Sequence, residues 1–188
     1  MKKATIILAT AMLGVTLHAA GLGDLFRPRE GVSRRISSYD TTGANADVVA
    51  FKPGEKRVIA RMQGSGIIRH IWTTINSNDP GYLRNIVIRF FWDGEREPSI
   101  EMPIGDLFGL GHGVIADVDS QPLSVVRAPH YLDDTGRGAM NLFFPMPFAS
   151  EARIELENQS TQNQSVYFYI DYDVMPLPAG STLRFHAL

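Results

Sequence analysis

Carboxylates are the first side chains of this sequence whose spacing could do chemistry. Asp171 and Asp173 lie two positions apart in an alternating segment, so a strand there would place both carboxylates on one face. Their separation would be roughly 6.5 to 7 Å, near the range for two carboxylates that act on a glycosidic bond. A solvated strand face is the competing explanation, because the carboxylates of a glycosidase normally converge from different strands.

Histidines together with nearby aspartates could bind a metal ion. His70, His112 and His130 are the candidates, but no two of them have the spacing of a ligand pair. The sequence also has no phosphate-binding loop, dinucleotide fingerprint or serine-nucleophile elbow. We therefore predict neither a metal site nor a cofactor.

The elements that must position these groups are strands. Apolar and polar residues alternate along most of the chain, and Ala152, Ile154 and Leu156 share one face of a run whose other face is charged. About eight or nine strands, with turn signals roughly every 8 to 15 residues, predict an all-β fold: an antiparallel jelly-roll β-sandwich of one domain. An immunoglobulin-like sandwich is the less favoured alternative, because the turns are uneven and no cysteine pair exists.

A hairpin that opens into a glycine-rich loop is the most distinctive stretch. The chain reverses at Asp93-Gly94, two residues that tolerate the positive backbone angles of a tight turn. Asp106 and Phe108 follow in a loop with four glycines, which we expect to border a site. Asp106 either contacts a ligand or fixes this loop by accepting backbone N–H bonds. A second polar loop, residues 37–47, is expected at the same end of the sandwich.

The ends of the chain have a different character. Lys2 and Lys3 precede an apolar run over residues 4–17, the pattern of a signal peptide over residues 1–20 with cleavage near Ala19 or Ala20. The run is too short to span a bilayer, which needs about 20 residues, although an uncleaved anchor is the alternative. We predict a periplasmic or extracellular protein. The absence of cysteine excludes disulfides and a lipoprotein anchor.

The charge of the exported chain limits its partners. Without the two signal lysines, 16 Lys and Arg remain against 20 Asp and Glu, a net charge of −4. Nucleic acids and anionic membranes need basic patches, so we predict neither as a partner. The arginines at positions 27, 29, 34 and 35, interrupted by Glu30, are assigned to a solvated, irregular segment over residues 21–36.

Several stretches together resemble a known family, from about residue 33 to residue 187. They are the loop over residues 37–47, Ile68-Arg69-His70-Ile71-Trp72, Phe91-Trp92-Asp93-Gly94-Glu95, Pro98-Ser99-Ile100-Glu101-Met102-Pro103, the glycine-rich loop over residues 105–113, and Phe143-Phe144-Pro145-Met146-Pro147-Phe148. The sequence is similar to the first half of glycoside hydrolase family 172. The resemblance implies two tandem jelly rolls per subunit and trimer-based homo-oligomers that act on fructofuranosides, including difructose dianhydride, and on D-arabinofuranosides.

The resemblance covers the first jelly roll, which we place at residues 37–178. Residues 179–188 would begin a truncated second half, with a strand from Leu183 that lacks a partner. The two glutamates of the family's retaining mechanism belong to Gly-Glu-Gly-Asp and Thr-Glu-Asp-Tyr-Phe motifs, and neither motif occurs in this sequence. No catalytic residue is therefore predicted. The chain also departs from the family at Thr41, Ala44 and Leu107, where Arg, Gly and Phe are common.

Positions that match the family's motifs are candidates for binding a furanoside or shaping its site. They are Asp40, Asn45, Asp47, His70, Trp72, Asp106 and Phe108. The function expected from the resemblance is that of the first half of an exported furanoside hydrolase, inactive alone. The alternatives are a non-catalytic carbohydrate-binding or assembly module, and a hydrolase with an independent carboxylate pair, Asp171 with Asp173 or Glu101 with Asp106.

Overall fold

The segments with alternating apolar and polar residues form strands in a computed structural model of the protein. The structure describes residues 28, 30–128, 137–177, 181 and 183–187. The strands in this part of the chain are β1 Val32–Ser37, β2 Val49–Phe51, β3 Lys56–Gln63, β4 Gly66–Ser77, β5 Ile86–Trp92, β6 Ile100–Pro103, β7 Val118–Asp119, β8 Leu123–Arg127, β9 Gly138–Leu142, β10 Met146–Phe148, β11 Glu151–Asn158 and β12 Gln164–Val174. Two four-residue helices, α1 Tyr82–Asn85 and α2 Ile104–Leu107, were not predicted because neither has an amphipathic repeat.

The strands form two antiparallel sheets. Sheet A has the order β1-β12-β4-β9-β8-β7, with β2 also paired to β12 and β10 to β4, and sheet B has the order β3-β11-β5-β6. Within these sheets, β2-β12-β4-β9 and β3-β11-β5-β6 form the two four-stranded layers of a jelly roll. The predicted antiparallel sandwich is confirmed.

The hydrophobic core lies between the sheets. Ala152, Ile154 and Leu156 of β11 are buried on one face, as their alternation predicts. All seven residues of β5 are buried, because the charged side chains of sheet B cover its outer face as well. The described residues from Gly31 onward form one compact unit.

A β-bulge changes which side chains of β4 face outward. Asp171 of β12 lies opposite His70, but the next residue, Tyr172, lies opposite Ile68, so Arg69 is the extra residue. Simple alternation would place Ile68 on the same face as His70 and Trp72. The bulge instead turns Ile68 into the core, where it is fully buried.

The central hairpin turns as predicted. Asp93 and Gly94 have φ angles of 55° and 84°, both in the left-handed region that a tight type I′ turn requires. The Asp93 carboxylate accepts hydrogen bonds from the backbone N–H groups of Ala149 and Ser150, each at 2.7 Å. The turn is therefore fastened to the segment that enters β11.

Both ends of the described chain pair with the sheets, which corrects two predictions. Residues 32–37 form β1 on the edge of sheet A, in place of an irregular segment ending at residue 36. The strand expected to lack a partner runs beside β6: the Glu101 N–H donates to the Ala187 carbonyl, and the Ala187 N–H to the Ser99 carbonyl. In the described chain no helix is long and apolar enough to cross a membrane. The predicted signal peptide lies outside the described residues.

Candidate functional site

The outer face of sheet A has rows of polar and aromatic side chains. Trp72 of β4 lies between Tyr169 of β12 and Asn141 of β9 in one row. His70 lies opposite Asp171 in the next row. Because the inner sides of these strands are filled with core residues, the chemistry of this sheet is restricted to its outer face.

An aromatic stack occupies the first row. The rings of Trp72 and Tyr169 stack with centroids 4.5 Å apart and planes at 20°. The Arg35 guanidinium lies 4.7 Å from the Tyr169 centroid, on the other side of the ring, because β1 and β4 flank β12 on opposite sides. Tyr169 thus contacts side chains from both neighbouring strands, and the stack carries the Trp72 indole N–H and the Tyr169 hydroxyl.

Asp171 fixes this stack from the second row. Its carboxylate accepts two hydrogen bonds from Arg35, at 2.6 Å from Nε and 2.9 Å from Nη2. The bond from Arg35 lowers the pKa of Asp171 below its usual value; burial opposes this change and the His70 contact at 3.1 Å supports it. Asp171 therefore stays ionised near neutral pH and orients Arg35, so it is unsuited to donate a proton.

The loop between β1 and β2 forms one wall above the row. Asp40 accepts hydrogen bonds from the Thr42 hydroxyl at 2.7 Å, the Thr42 N–H at 2.8 Å and the Ala46 N–H at 3.1 Å. These bonds, led by that from the Thr42 hydroxyl, lower the pKa of Asp40. Asp47 accepts from the Asp40 N–H at 2.7 Å, and Asn45 has a φ of 61°. The polar side chains predicted to order this loop do so.

The loop and the stack enclose a surface cleft of about 540 Å³. Its lining consists of Ser38, Tyr39, Asn45, Ala46, Asp47, Val48, Trp72, Tyr167 and Tyr169. This volume is within the range of small-molecule sites, roughly 300 to 1,000 Å³. Three of the predicted site residues, Asn45, Asp47 and Trp72, line the cleft, while Asp40 holds its loop and His70 lies one row away.

The other two predicted site residues lie elsewhere. Phe108 is fully buried in the core, beside Ile104 and between the two sheets. Asp106 pairs with the Arg84 guanidinium of α1 and accepts no backbone N–H bond from a described residue. The glycine-rich loop does not border this cleft, so the expected joint site of the two loops is not found there.

The carboxylate pairs considered from the sequence are tied to arginines. Asp173 accepts bonds from Arg69 at 2.9 Å and from the Ser33 hydroxyl at 2.7 Å. Glu101 lies 2.7 Å from Nη2 of Arg89. No group of histidine and acidic side chains in the described residues could hold a metal ion, and His130 lies outside them.

Tyr39, Tyr167, Tyr169 and Arg35 belong to the site but were not predicted. Tyr167 and Tyr169 alternate with buried residues on β12, and that pattern indicates an outward aromatic face. The position of Arg35 could not be inferred, because the segment containing it was not recognised as a strand.

Fold and cleft together define a jelly-roll β-sandwich domain with an aromatic, hydrogen-bonding site on one sheet. A family model described as the GH172 first beta-sandwich domain matches residues 30–180. The chain therefore belongs to glycoside hydrolase family 172, as the sequence resemblance predicts. No curated protein matches the chain.

Proposed function

We propose that the chain is the sugar-contacting half of a furanoside-acting glycoside hydrolase, and that it is not catalytic by itself. The observation that carries the proposal is the set of unpaired polar groups in the cleft of a family 172 domain. A furanoside is the substrate class that the resemblance implies, and its hydroxyl groups both donate and accept hydrogen bonds.

The cleft offers donors and acceptors to such a ligand. Among the described residues, the indole N–H of Trp72 and the amide of Asn45 have no hydrogen-bond partner, and Asp47 uses one of its two carboxylate oxygens. The hydroxyl groups of Tyr39, Tyr167 and Tyr169 are also unpaired within this part of the chain. A site lined by hydrogen-bonding groups favours ligands that satisfy them, because an unsatisfied group loses affinity on burial.

The ion pairs of the carboxylates support a non-catalytic role. A retaining mechanism needs a nucleophile and an acid/base about 5 to 5.5 Å apart, and one of the two must carry a proton. Asp171, Asp173, Glu101 and Asp106 each pair with an arginine, and the bond from Arg35 lowers the pKa of Asp171. The third alternative, an independent carboxylate pair, therefore has no support from this geometry.

Ligand binding tests the proposal directly. We expect the purified chain to bind methyl β-D-fructofuranoside or methyl α-D-arabinofuranoside in a calorimetric or NMR titration, and methyl α-D-glucopyranoside more weakly. Trp72→Ala and Asn45→Ala should each weaken binding at least about tenfold by removing a hydrogen-bonding group of the site. Val58→Ala, at an exposed position of sheet B, is the matched control and should have no effect. Equal binding of the pyranoside, or unchanged binding by Trp72→Ala, would contradict the proposal.

Export and assembly are proposed on sequence grounds. The basic and apolar pattern of residues 1–20 supports secretion with cleavage near Ala19 or Ala20. Expression with its own N-terminus in a bacterial host should give a periplasmic or secreted chain that begins near residue 20 or 21 by mass spectrometry. A cytoplasmic, full-length product would contradict export. Trimer-based association is proposed for the subunit in which both jelly rolls are present, as the resemblance implies.

A further inference from the structure

The wall that the loop between β1 and β2 gives the cleft carries only negative charge. Residues 36–51 contain Asp40 and Asp47 and no Lys, Arg or His. Asp40 is ionised near neutral pH, because hydrogen bonds from Thr42, and then from the Ala46 N–H, lower its pKa. No described residue that lines the cleft is basic. The wall therefore gives the cleft a negative electrostatic potential.

Arg35 is the basic side chain beside the cleft, and its charge is already offset. Its guanidinium lies 4.7 Å from the centroid of the Tyr169 ring and donates two hydrogen bonds to Asp171, at 2.6 and 2.9 Å. Within the described chain, neither Asp40 nor Asp47 forms a salt bridge. Because Asp171 neutralises Arg35, the two carboxylates of the loop keep an uncompensated charge.

Asp47 carries this charge into the cleft itself. One of its oxygens, Oδ1, accepts the Asp40 N–H at 2.7 Å, and Oδ2 has no hydrogen-bond partner among the described residues. Asp171 and Asp173, also on sheet A, are by contrast each paired with an arginine. A carboxylate that lines a cleft and has a free oxygen favours a ligand that brings the missing positive charge.

An ammonium group fits these acceptors better than a metal ion does. Ca²⁺ and Mg²⁺ take six or more oxygen ligands, but both oxygens of Asp40 already accept hydrogen bonds, and Asp47 offers one. No cluster of histidine and acidic side chains in the described ranges could hold a metal. An ammonium group has three N–H donors and no acceptor, so one carboxylate oxygen and the tyrosine hydroxyl oxygens of the cleft can satisfy it.

We propose that the cleft prefers a sugar that carries a protonated amino group, and that Asp47 selects this ligand by pairing with the ammonium. The ligand class is then an amino-substituted furanoside, and a sugar with a carboxylate at the same place is disfavoured. This inference rests on the proposed function, because it specifies the charge of the ligand that occupies the same cleft.

Three arabinofuranosides that differ only at C5 test the inference. They are methyl α-D-arabinofuranoside, its 5-amino-5-deoxy analogue and its C5 carboxylate, each titrated near neutral pH by calorimetry or NMR. At about 20 mM salt, wild type should bind the amine about fivefold more tightly than the neutral sugar, and the carboxylate about fivefold more weakly. At about 500 mM salt these differences should shrink, because dissolved ions screen the charge of the loop.

Charge-removing variants locate the preference at one side chain. Asp47→Asn removes the charge with little change of shape, and the ratio of amine to neutral affinity should fall to about one. Asp119→Asn, at an exposed position on the opposite edge of sheet A, is the matched control and should keep the wild-type ratio. A variant whose cleft is merely distorted would lose both affinities together and leave the ratio unchanged.

The outcomes separate the two proposals. If wild type binds the three sugars equally, or if Asp47→Asn keeps the preference for the amine, selection by charge is wrong and the cleft assignment stands. If none of the three sugars binds to wild type, the proposed function fails and the inference with it. The order of the wild-type affinities decides the matter even where Asp47→Asn binds no sugar. Urea unfolding midpoints verify that each variant is folded.

Discussion

A single carboxylate, that of Asp93, joins three segments of the chain. It accepts hydrogen bonds from the backbone of the segment before β11 and from Nε of Arg184 at 2.6 Å. Burial raises the pKa of Asp93, but the bonds from Ser150, Arg184 and Ala149 outweigh it, so that the net pKa is lowered. The residue also adopts a left-handed φ, which Asn and Gly tolerate better than Ala.

We expect Asp93→Ala to lower the free energy of unfolding by about 2 to 4 kcal/mol, because it leaves backbone donors unpaired and strains the turn. Asp93→Asn should lose less, since its amide oxygen keeps one acceptor and its backbone tolerates the turn. Asp93→Gly separates the two causes, because it removes the acceptor without the strain of roughly 1 to 2 kcal/mol. Urea denaturation measures all three. A loss below about 0.5 kcal/mol for Asp93→Ala would place this carboxylate among ordinary surface groups.

Asp171 should make stability depend on pH. Its pKa is lowered in the folded protein, chiefly by the bond from Arg35, so the folded state favours the ionised carboxylate. The stabilisation is complete above the unfolded pKa of about 4 and is lost as pH falls through the lower, folded pKa. We expect the stability difference between wild type and Asp171→Asn, measured by urea midpoints, to be constant from pH 7 to about pH 5 and to shrink below about pH 4. A difference that grows with acidification would contradict the assignment.

At the scale of elements, the sequence predicts the parts with a strong local signal. The Asp93-Gly94 hairpin and the alternation of β11 are both found as predicted. Strand β1 was missed because it is an edge strand and most of its residues are exposed, including Val32, Arg34 and Arg35. The bulge at Arg69 was missed because a register shift is set by the partner strand, and alternation along one strand cannot reveal it.

The sequence indicated only part of the candidate site, because local patterns do not reveal contacts with distant segments. The loop over residues 37–47 is ordered by its own side chains, so its residue types were informative. The glycine-rich loop does not line the cleft, and two of its glycines are explained by contacts within the chain. A Cβ on Gly105 would lie 3.0 Å from Leu83 Cβ, and Gly113 has a φ of 71° beside Arg84. Glycine is needed both where two parts of the chain approach closely and where the chain approaches a ligand. Its presence in the sequence does not distinguish the two.

The segment over residues 183–187 behaves as an additional element of sheet B. Trp92 is fully buried, and its indole N–H donates to the Phe185 carbonyl at 2.8 Å. The Phe185 ring lies 5.3 Å from that of Phe144, measured between centroids. The described structure thus uses this segment to satisfy a buried donor.

Deletion of residues 183–188 should therefore lower the free energy of unfolding by about 2 to 4 kcal/mol, because it leaves the Trp92 N–H unpaired and removes an aromatic contact. In a Trp72→Phe background the fluorescence reports on Trp92 alone, and we expect its emission to shift to longer wavelength. Leu183→Ala, at an exposed position, is the control and should change neither quantity. Unchanged emission and stability after the deletion would show that the segment does not protect Trp92.

At the scale of the whole molecule, the two outer faces have different chemistry. Sheet B is covered by ion pairs, with Arg89 between Glu101 at 2.7 Å and Glu157 at 2.6 Å. Sheet A instead carries the aromatic stack and the cleft. The carboxylates of sheet B pair with arginines, whereas sheet A has hydrogen-bonding groups without a partner among the described residues. We therefore expect ligand binding on sheet A and acid–base catalysis on neither face.

This distribution leads to the prediction that the 188-residue chain does not hydrolyse furanosides. Catalysis by retention needs both a free nucleophile and a protonated acid, each of which contributes orders of magnitude to the rate. We expect an activated aryl furanoside to show no turnover above the buffer rate at any pH from 4 to 8, in preparations that bind the methyl furanoside. Asp171→Asn and Glu101→Gln serve as paired variants that remove one carboxylate from each face. Turnover by wild type that disappears in either variant would establish an independent active site and would overturn the non-catalytic role proposed for this chain.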